Sequence, residues 1–465
     1  MQLKPRHALI GSALGALTAN LLAATTAHAQ APASTVPADA TPTTLDAGSD
    51  IGSGLMRIDS AILFYQEAGG RVKAVEPTTS VTLDAADGEV LSFRYTADTL
   101  TGATPNGATP WSAAQTFTTP ARAPSTTTTV TGASGNAQLV TIPGGVIVRQ
   151  YTTPANQLPL DPGFKDQRTA FDFNYSTPLG TRSRASVGAS YSTERDYTSY
   201  SFNGGFSQDF NQHNTRLSAA LNFEFDQSRP FFGTPTPFTV MSGTQKDSAR
   251  SKTVENLVVG VTQAMTRNWL LQVNYSYGSS SGYQNDPYRI ISLVDSSTGA
   301  PLQYLYESRP NQRTRQSLYV GNKIAVGGTF ADISARLYHD NWGISSYTVE
   351  ASDRIPLGSS FYVEPGVRYY NQTKADFFHD YLANGSAMPR YASSDSRLGE
   401  FSADTVSLQL GLQFFESSEI YLRAEGYEQH GQSHPAGAIG GLANQNLFTG
   451  VRANSVMLGL SLSIY

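Results

Sequence analysis

The chain has 465 residues, a net charge of −5 at pH 7 and no cysteine, with 15% of residues charged and 11% aromatic. An average soluble domain is about 25% charged. This profile excludes a long coiled coil, a disulfide scaffold and a Cys-ligated metal centre, and the acidic balance argues against nucleic acid as a partner. The mean hydropathy of −0.28 argues against helical membrane spans. Few charges with many aromatics and 41 glycines are the profile of a β-barrel that is polar inside and apolar outside.

Lys4 and Arg6 form a basic n-region, Ala8 to Ala24 is apolar and uncharged, and Ala27-His28-Ala29 is a small-x-small cleavage site. The pattern predicts a signal peptide over residues 1–29, cleaved after Ala29. Its apolar run is shorter than the roughly 18 residues that a membrane span needs. Export without cysteine fits a periplasmic or outer-membrane protein. No later segment is apolar for long enough to span as a helix, so a membrane-embedded chain must be a barrel. Residues 30–56, rich in Ala, Pro, Thr and Ser, read as a disordered leader. The barrel is then expected over residues 57–465.

From Arg57 the pattern is strand-like, with turns at Gly69-Gly70 and Asp84–Gly88. Residues 98–168 lack strong periodicity and read as a long irregular loop or a plug. From Thr169 onward, period-two alternation dominates. Leu217, Ala219, Leu221, Phe223 and Phe225 alternate with Arg216, Ser218, Ala220, Asn222 and Glu224; Val406, Leu408, Leu410 and Leu412 alternate with Ser407, Gln409 and Gly411. A helical period of 3.6 would scatter each of these rows. Connections alternate between short and long, the long ones at about Gln227–Arg250, Gly278–Arg313, Thr373–Glu400 and His430–Ala453. Outer-membrane barrels have short periplasmic turns and longer external loops. With both ends in the periplasm, the count is about sixteen strands, an all-β, antiparallel, up-and-down transmembrane barrel.

Several segments carry a family resemblance. They include Ile58-Asp59-Ser60-Ala61-Ile62-Leu63-Phe64-Tyr65-Gln66-Glu67, Asp98-Thr99-Leu100-Thr101-Gly102, Asn285-Asp286-Pro287-Tyr288-Arg289 and Tyr306-Glu307-Ser308-Arg309-Pro310. His339-Asp340-Asn341-Trp342-Gly343 and Glu364-Pro365-Gly366-Val367-Arg368-Tyr369-Tyr370 belong with them. Together they resemble a proteobacterial family known as a domain of unknown function, number three-five-seven-zero. The resemblance covers nearly all of the mature chain. It implies an exported outer-membrane barrel, often encoded near a small lipoprotein, a thioredoxin-like protein and a flavin transferase. A small lipoprotein or periplasmic redox proteins are therefore implied as partners. The family has no established catalytic residues to carry over.

The phase expected to face the lumen carries charge: Asp332 and Arg336, then Glu350, Glu364 and Arg368, Asp404, and Arg423 with Glu425. These are candidate lumen-lining residues, because a charge facing lipid at mid-depth costs about 2–4 kcal/mol. They read either as a polar pathway or as a ladder of ion pairs bracing the wall. His339-Asp340, at an external bend, is a weak catalytic candidate, since a His beside a carboxylate can act as a general base. The alternative is a satisfied polar turn before Trp342. No His lies in an outward strand phase on this reading. The seven His show no metal-binding spacing, and neither a metal nor a cofactor is expected. Tyr191, Tyr200, Phe225, Tyr277 and Tyr369 read as interfacial girdles or as a stacking track for sugars. The terminal Tyr465 is aromatic, as such barrels usually require, but one residue out of phase.

The expected function is a passive, pore-like or partner-binding barrel without covalent catalysis. It would sit in outer-membrane lipid and lipopolysaccharide, placed there by the barrel-insertion machinery. The alternatives are a surface enzyme using His339 and Asp340, or a soluble, exported all-β binding protein.

Overall fold

The computed structural model describes residues 55–120, 131–132, 135–136, 138–142, 146–230, 233–242, 246–415 and 417–464. The expected cleavage after Ala29, most of the leader and Tyr465 lie outside the described residues. Sixteen strands close into one barrel. In chain order they are β1 (Leu55–Glu67), β2 (Lys73–Asp84), β3 (Val90–Pro105), β4 (Leu160–Pro178), β5 (Ser183–Thr193), β6 (Tyr197–Phe210), β7 (Thr215–Ser228) and β8 (Arg250–Thr266). The circuit continues with β9 (Trp269–Gly282), β10 (Gln312–Val326), β11 (Thr329–Asp340), β12 (Ser345–Leu357), β13 (Phe361–Gln372), β14 (Phe401–Phe414), β15 (Ser418–His430) and β16 (Arg452–Ile464). Each strand pairs antiparallel with its chain neighbour, and β1 closes the circle on β16 from Met56↔Ile464 to Glu67↔Ala453. Closure leaves no unpaired strand edge, which is what a sheet in hydrocarbon requires.

The alternation in the sequence becomes the two faces of the wall. On β14, Val406, Leu408 and Leu410 point outward and are 63%, 46% and 49% exposed, while Thr405 and Gln409 point inward and are buried. On β7, Leu217, Leu221, Phe223 and Phe225 face out, and Asn222, Glu224 and Asp226 face in. Such a band of exposed apolar side chains suits a wall in contact with lipid. Tyr200, Phe225, Tyr277 and Tyr369 are exposed on this outer face.

Two prolines leave marks on the ladder. Pro77 has no N–H to donate, and the β2–β3 pairing skips from Val75↔Thr99 to Thr78↔Thr96. Pro365 coincides with a similar gap between β12 and β13. At one end of the barrel the turns are short. Gly327 and Gly328, both at positive φ, link β10 to β11, and three successive left-handed residues, Asn211, Gln212 and His213, link β6 to β7.

The stretch expected to be irregular from 98 to 168 is shorter in the structure. β3 runs on to Pro105 and β4 begins at Leu160, with Asp98↔Arg168 in register. These strands run on past the band of exposed apolar side chains, so the alternation at their outer positions, and with it the periodic signal, fades. Within the remaining segment, Gln115–Pro120, Gln138–Ile142 and Val146–Thr153 form a separate three-stranded sheet.

Candidate functional site

The long connections fold into a cap at one mouth of the barrel. At its centre is a hairpin, Ile290–Val294 paired with Pro301–Tyr306, which Leu382–Ala383 extends as a parallel third strand. Its turn is held by Asp295, whose carboxylate accepts from the N–H and hydroxyl groups of Ser297 and Thr298. These bonds hold the Asp295 carboxyl below the usual range.

The hairpin packs on loops from around the mouth. Ile290 and Tyr306 share a core with Ala108, Phe117 and Tyr151 of the β3–β4 connection and Met241 of the β7–β8 connection. Ile291 and Leu305 pack on Leu382 and Ala392, between β13 and β14. Val294 packs on Leu442 and Leu447, between β15 and β16, with Trp111 alongside. Gly107 shows how close the approach is: its φ is +99°, and a Cβ there would stand 2.1 Å from the Ile290 carbonyl oxygen.

An ion network lies beneath these cores. The Arg309 Nε is 2.6 Å from Glu307 Oε1, and its Nη2 is 2.9 Å from Asp395 Oδ2. Arg397 pairs with Asp395 and with Asp286, and the Arg289 guanidinium donates to the Pro105 carbonyl. Glu307 and Asp395 are 2% and 1% exposed. Burial pushes the Glu307 carboxyl up and outweighs the opposing pull of Arg309. Burial acts the same way on Asp395, but Arg397, Arg289 and Arg309 together hold it well below the usual carboxylate range. The motifs around Asp286–Arg289 and Glu307–Arg309 were visible in the sequence. Asp395 and Arg397 were not, because an isolated Asp-x-Arg in a loop carries no spacing signal.

The candidate lumen charges fall as follows. Asp332, Arg336, Glu350, Glu364, Arg368, Arg423 and Glu425 occupy the strand phase opposite the exposed apolar rows, so they face the interior. Glu350 and Arg368 are direct cross-strand neighbours. Asp332 lies 3.0 Å from Lys323 Nζ, Glu364 accepts from Arg354 Nε at 2.7 Å, and Arg423 donates to Glu425 at 2.7 Å. Asp404 does not belong with them. It shares the outward phase of Val406 and Leu408, and its carboxylate meets His430 Nε2 at 3.0 Å on the outer surface near the loop end. A charge is tolerated there because that rung lies above the apolar band.

His339 and Asp340 do not come together. Successive residues of a strand point to opposite faces. Asp340 turns inward, is 2% exposed, and binds Arg313, Tyr338 and the N–H groups of Trp342 and Ile344. His339 turns outward beside Leu337, with Nδ1 3.0 Å from Ser345 Oγ. His430 also lies in an outward phase, so both histidines contradict the expectation that none does. The Ser345 N–H is itself committed to Thr373 Oγ1, which leaves that serine without its own amide as an oxyanion donor. Among the described residues, no group of three or more His, Cys, Asp or Glu side chains is arranged to hold a metal.

The chain belongs to the family described as "Protein of unknown function (DUF3570)", whose model matches residues 19–462. No curated protein matches it. Among solved structures, the chain is similar to CdiB from Acinetobacter baumannii at 9% identity and a TM-score of 0.37, covering 88% of this chain and 60% of that one. It is similar to OccD1 (OprD) at 8% identity and a TM-score of 0.38, covering 89% and 97%. It is similar to a bacterial polysaccharide outer membrane secretin at 8% identity and a TM-score of 0.40, covering 89% and 99%. The chain thus spans less than two thirds of the length of CdiB. At such scores, no strand-by-strand or functional correspondence follows.

Proposed function

We propose that this DUF3570 protein is a passive outer-membrane barrel whose loops form a folded, binding-competent cap over one mouth, without covalent chemistry. The exposed apolar outer face supports a lipid setting, and the signal-like N-terminus supports export. Short turns at one end and long loops at the other support a periplasmic N-terminus and an external cap. Outer-membrane lipid, lipopolysaccharide and the insertion machinery are then its general partners.

The observation that carries the reading is the hairpin Ile290–Tyr306, which packs at once on loops between β3 and β4, β7 and β8, β13 and β14, and β15 and β16. A sixteen-strand barrel is roughly 30 Å across its backbone, wide enough for an aqueous channel if nothing crosses it. Loops from opposite arcs of that circle that share cores close the mouth. The separation of His339 from Asp340 supports a non-catalytic role for the rim. Planar-bilayer recording tests this function. The full chain is expected to show little steady conductance, and a variant lacking residues 290–306 a large one. A large, steady conductance from the unaltered chain would overturn the capped reading.

A further inference from the structure

Polar groups without partners are not spread evenly through the molecule. Among the described residues, the inner faces of β6, β7 and β8 hold five buried atoms without a hydrogen-bond partner, Ser201 Oγ, Asn203 Oδ1, Asn222 Nδ2, Ser228 Oγ and Asn256 Nδ2, around a hydrogen-bonded trio of Tyr197, Asp226 and Glu224. Ser201, Asn222, Glu224, Asp226 and Asn256 are all less than one-tenth exposed. Buried polar atoms are nearly always satisfied, so a concentration of orphans on three adjacent strands needs an explanation.

The register makes them one patch. Ser201 lies opposite Glu224, Asn203 opposite Asn222, and Asn222 opposite Asn256. Lys252 Nζ sits 2.9 Å from Asp226 Oδ2, and Arg315 donates to Asn256 Oδ1 at 3.4 Å. Two glycines make room at the flanks. A Cβ at Gly188 would stand 2.7 Å from the Asn203 amide, and one at Gly278 would stand 2.6 Å from Asn256 Oδ1. Beyond Tyr197 the acidic character of the wall continues with Glu194 and Asp166, then Asp98 and Glu76 around Arg168.

We infer that this wall is a binding site for a small organic ammonium ion that also carries hydroxyl groups, such as an amino sugar. The hydrogen-bonded carboxyl groups of Glu224 and Asp226, with Lys252 on Asp226 and Arg315 at the edge of the patch, present oxygen acceptors that suit an ammonium group with several N–H donors. The orphan amide N–H groups of Asn222 and Asn256 require acceptors, which an ammonium group lacks and ligand hydroxyls supply. The orphan hydroxyls of Ser201 and Ser228 serve either role. The site deepens the reading of the protein as a capped binding barrel and rests on it. Conductance probes the cap and titration probes the wall, so each can fail separately.

The test is calorimetric titration of the detergent-solubilised full chain with glucosamine, glucose and putrescine. Glucosamine is expected to bind saturably, at least about tenfold more tightly than glucose or putrescine. Glu224→Gln is expected to weaken glucosamine about tenfold while keeping the heat-modifiable gel mobility of a folded barrel. Should Glu224→Gln fail to fold, Ser201→Ala, which removes a neighbouring orphan hydroxyl, is expected to weaken it by a smaller but measurable factor. Absence of saturable glucosamine binding to the unaltered chain overturns the inference. So does equal affinity for all three probes, or a folded variant that binds as well as the unaltered chain.

Discussion

Arg309→Met is the sharpest perturbation of the cap. The side chain is 10% exposed and bridges Glu307 and Asp395. Asp395 keeps Arg397 after the change. Glu307 keeps the Asp286 N–H and the Ser393 hydroxyl but loses its guanidinium. Breaking a buried pair by removing one partner costs about 3–5 kcal/mol, because the remaining charge is uncompensated. At about 1.4 kcal/mol per factor of ten, the ratio of docked to undocked cap falls by roughly two to three and a half orders of magnitude. The penalty depends on pH. The Glu307 carboxyl, already raised by burial, rises further without Arg309, so the docked cap holds a proton that the undocked loop releases. The variant's cap therefore loses stability as pH rises above the ordinary value of 4.5. Limited proteolysis of the loops in reconstituted protein measures this, with heat-modifiable mobility as the control for the barrel. Glu307→Gln combined with Arg309→Met removes the stranded charge and is expected to recover most of the protection. Unchanged proteolysis in the single variant, or no recovery in the double one, would refute the reasoning.

Further outcomes follow from the wall and its rim. Val406→Arg, on the outer face at mid-strand, is expected to cost about 2–4 kcal/mol and to reduce the heat-modifiable fraction, whereas Asp404→Arg, nearer the loop end, costs under about 1 kcal/mol. Glu194, in the β5–β6 connection, is pushed up to about 9 by burial and then by Asp166. Its folded form holds a proton that the unfolded chain releases, so stability falls as pH climbs from about 4.5 towards 9, and Glu194→Gln should flatten that slope in thermal unfolding. His339→Ala is expected to leave folding and cap protection unchanged. A loss of either would tie the outer His339–Ser345 contact to more than local geometry.

The barrel was legible in the sequence because its wall obeys one simple rule. Rows such as Val406-Leu408-Leu410 and Leu217 to Phe225 face a uniform apolar solvent, so alternation records them directly. The same rule, applied strictly, sets His339 and Asp340 on opposite faces, and reading their adjacency as a pair ignored it. Asp404 was placed inward because charge was equated with lumen, which holds only at the depth of the hydrocarbon. The cap was opaque for a different reason. Its partners, such as Ile290 with Ala108 or Arg309 with Asp395, lie far apart in sequence, and loops have no period to fix which side chains meet. The orphan polar patch on β6 to β8 was hidden in plain alternation: Ser201, Asn222 and Asn256 read as ordinary inward residues, and only their buried polar atoms without partners separate them from solvated ones.

The claim that the loops form one docked cap is tested most directly by a disulfide between two of them. Ser308 and Ala392, from the β9–β10 and β13–β14 connections, exchange two backbone hydrogen bonds of 2.9 and 2.8 Å. Such a pair stands about 5.5 Å apart at Cα, within the reach of a disulfide. The chain has no other cysteine to compete. In outer membranes carrying Ser308→Cys with Ala392→Cys, the two thiols are expected to join nearly completely without added oxidant. Thiols that stay free and reactive to a membrane-impermeant reagent would contradict the cap.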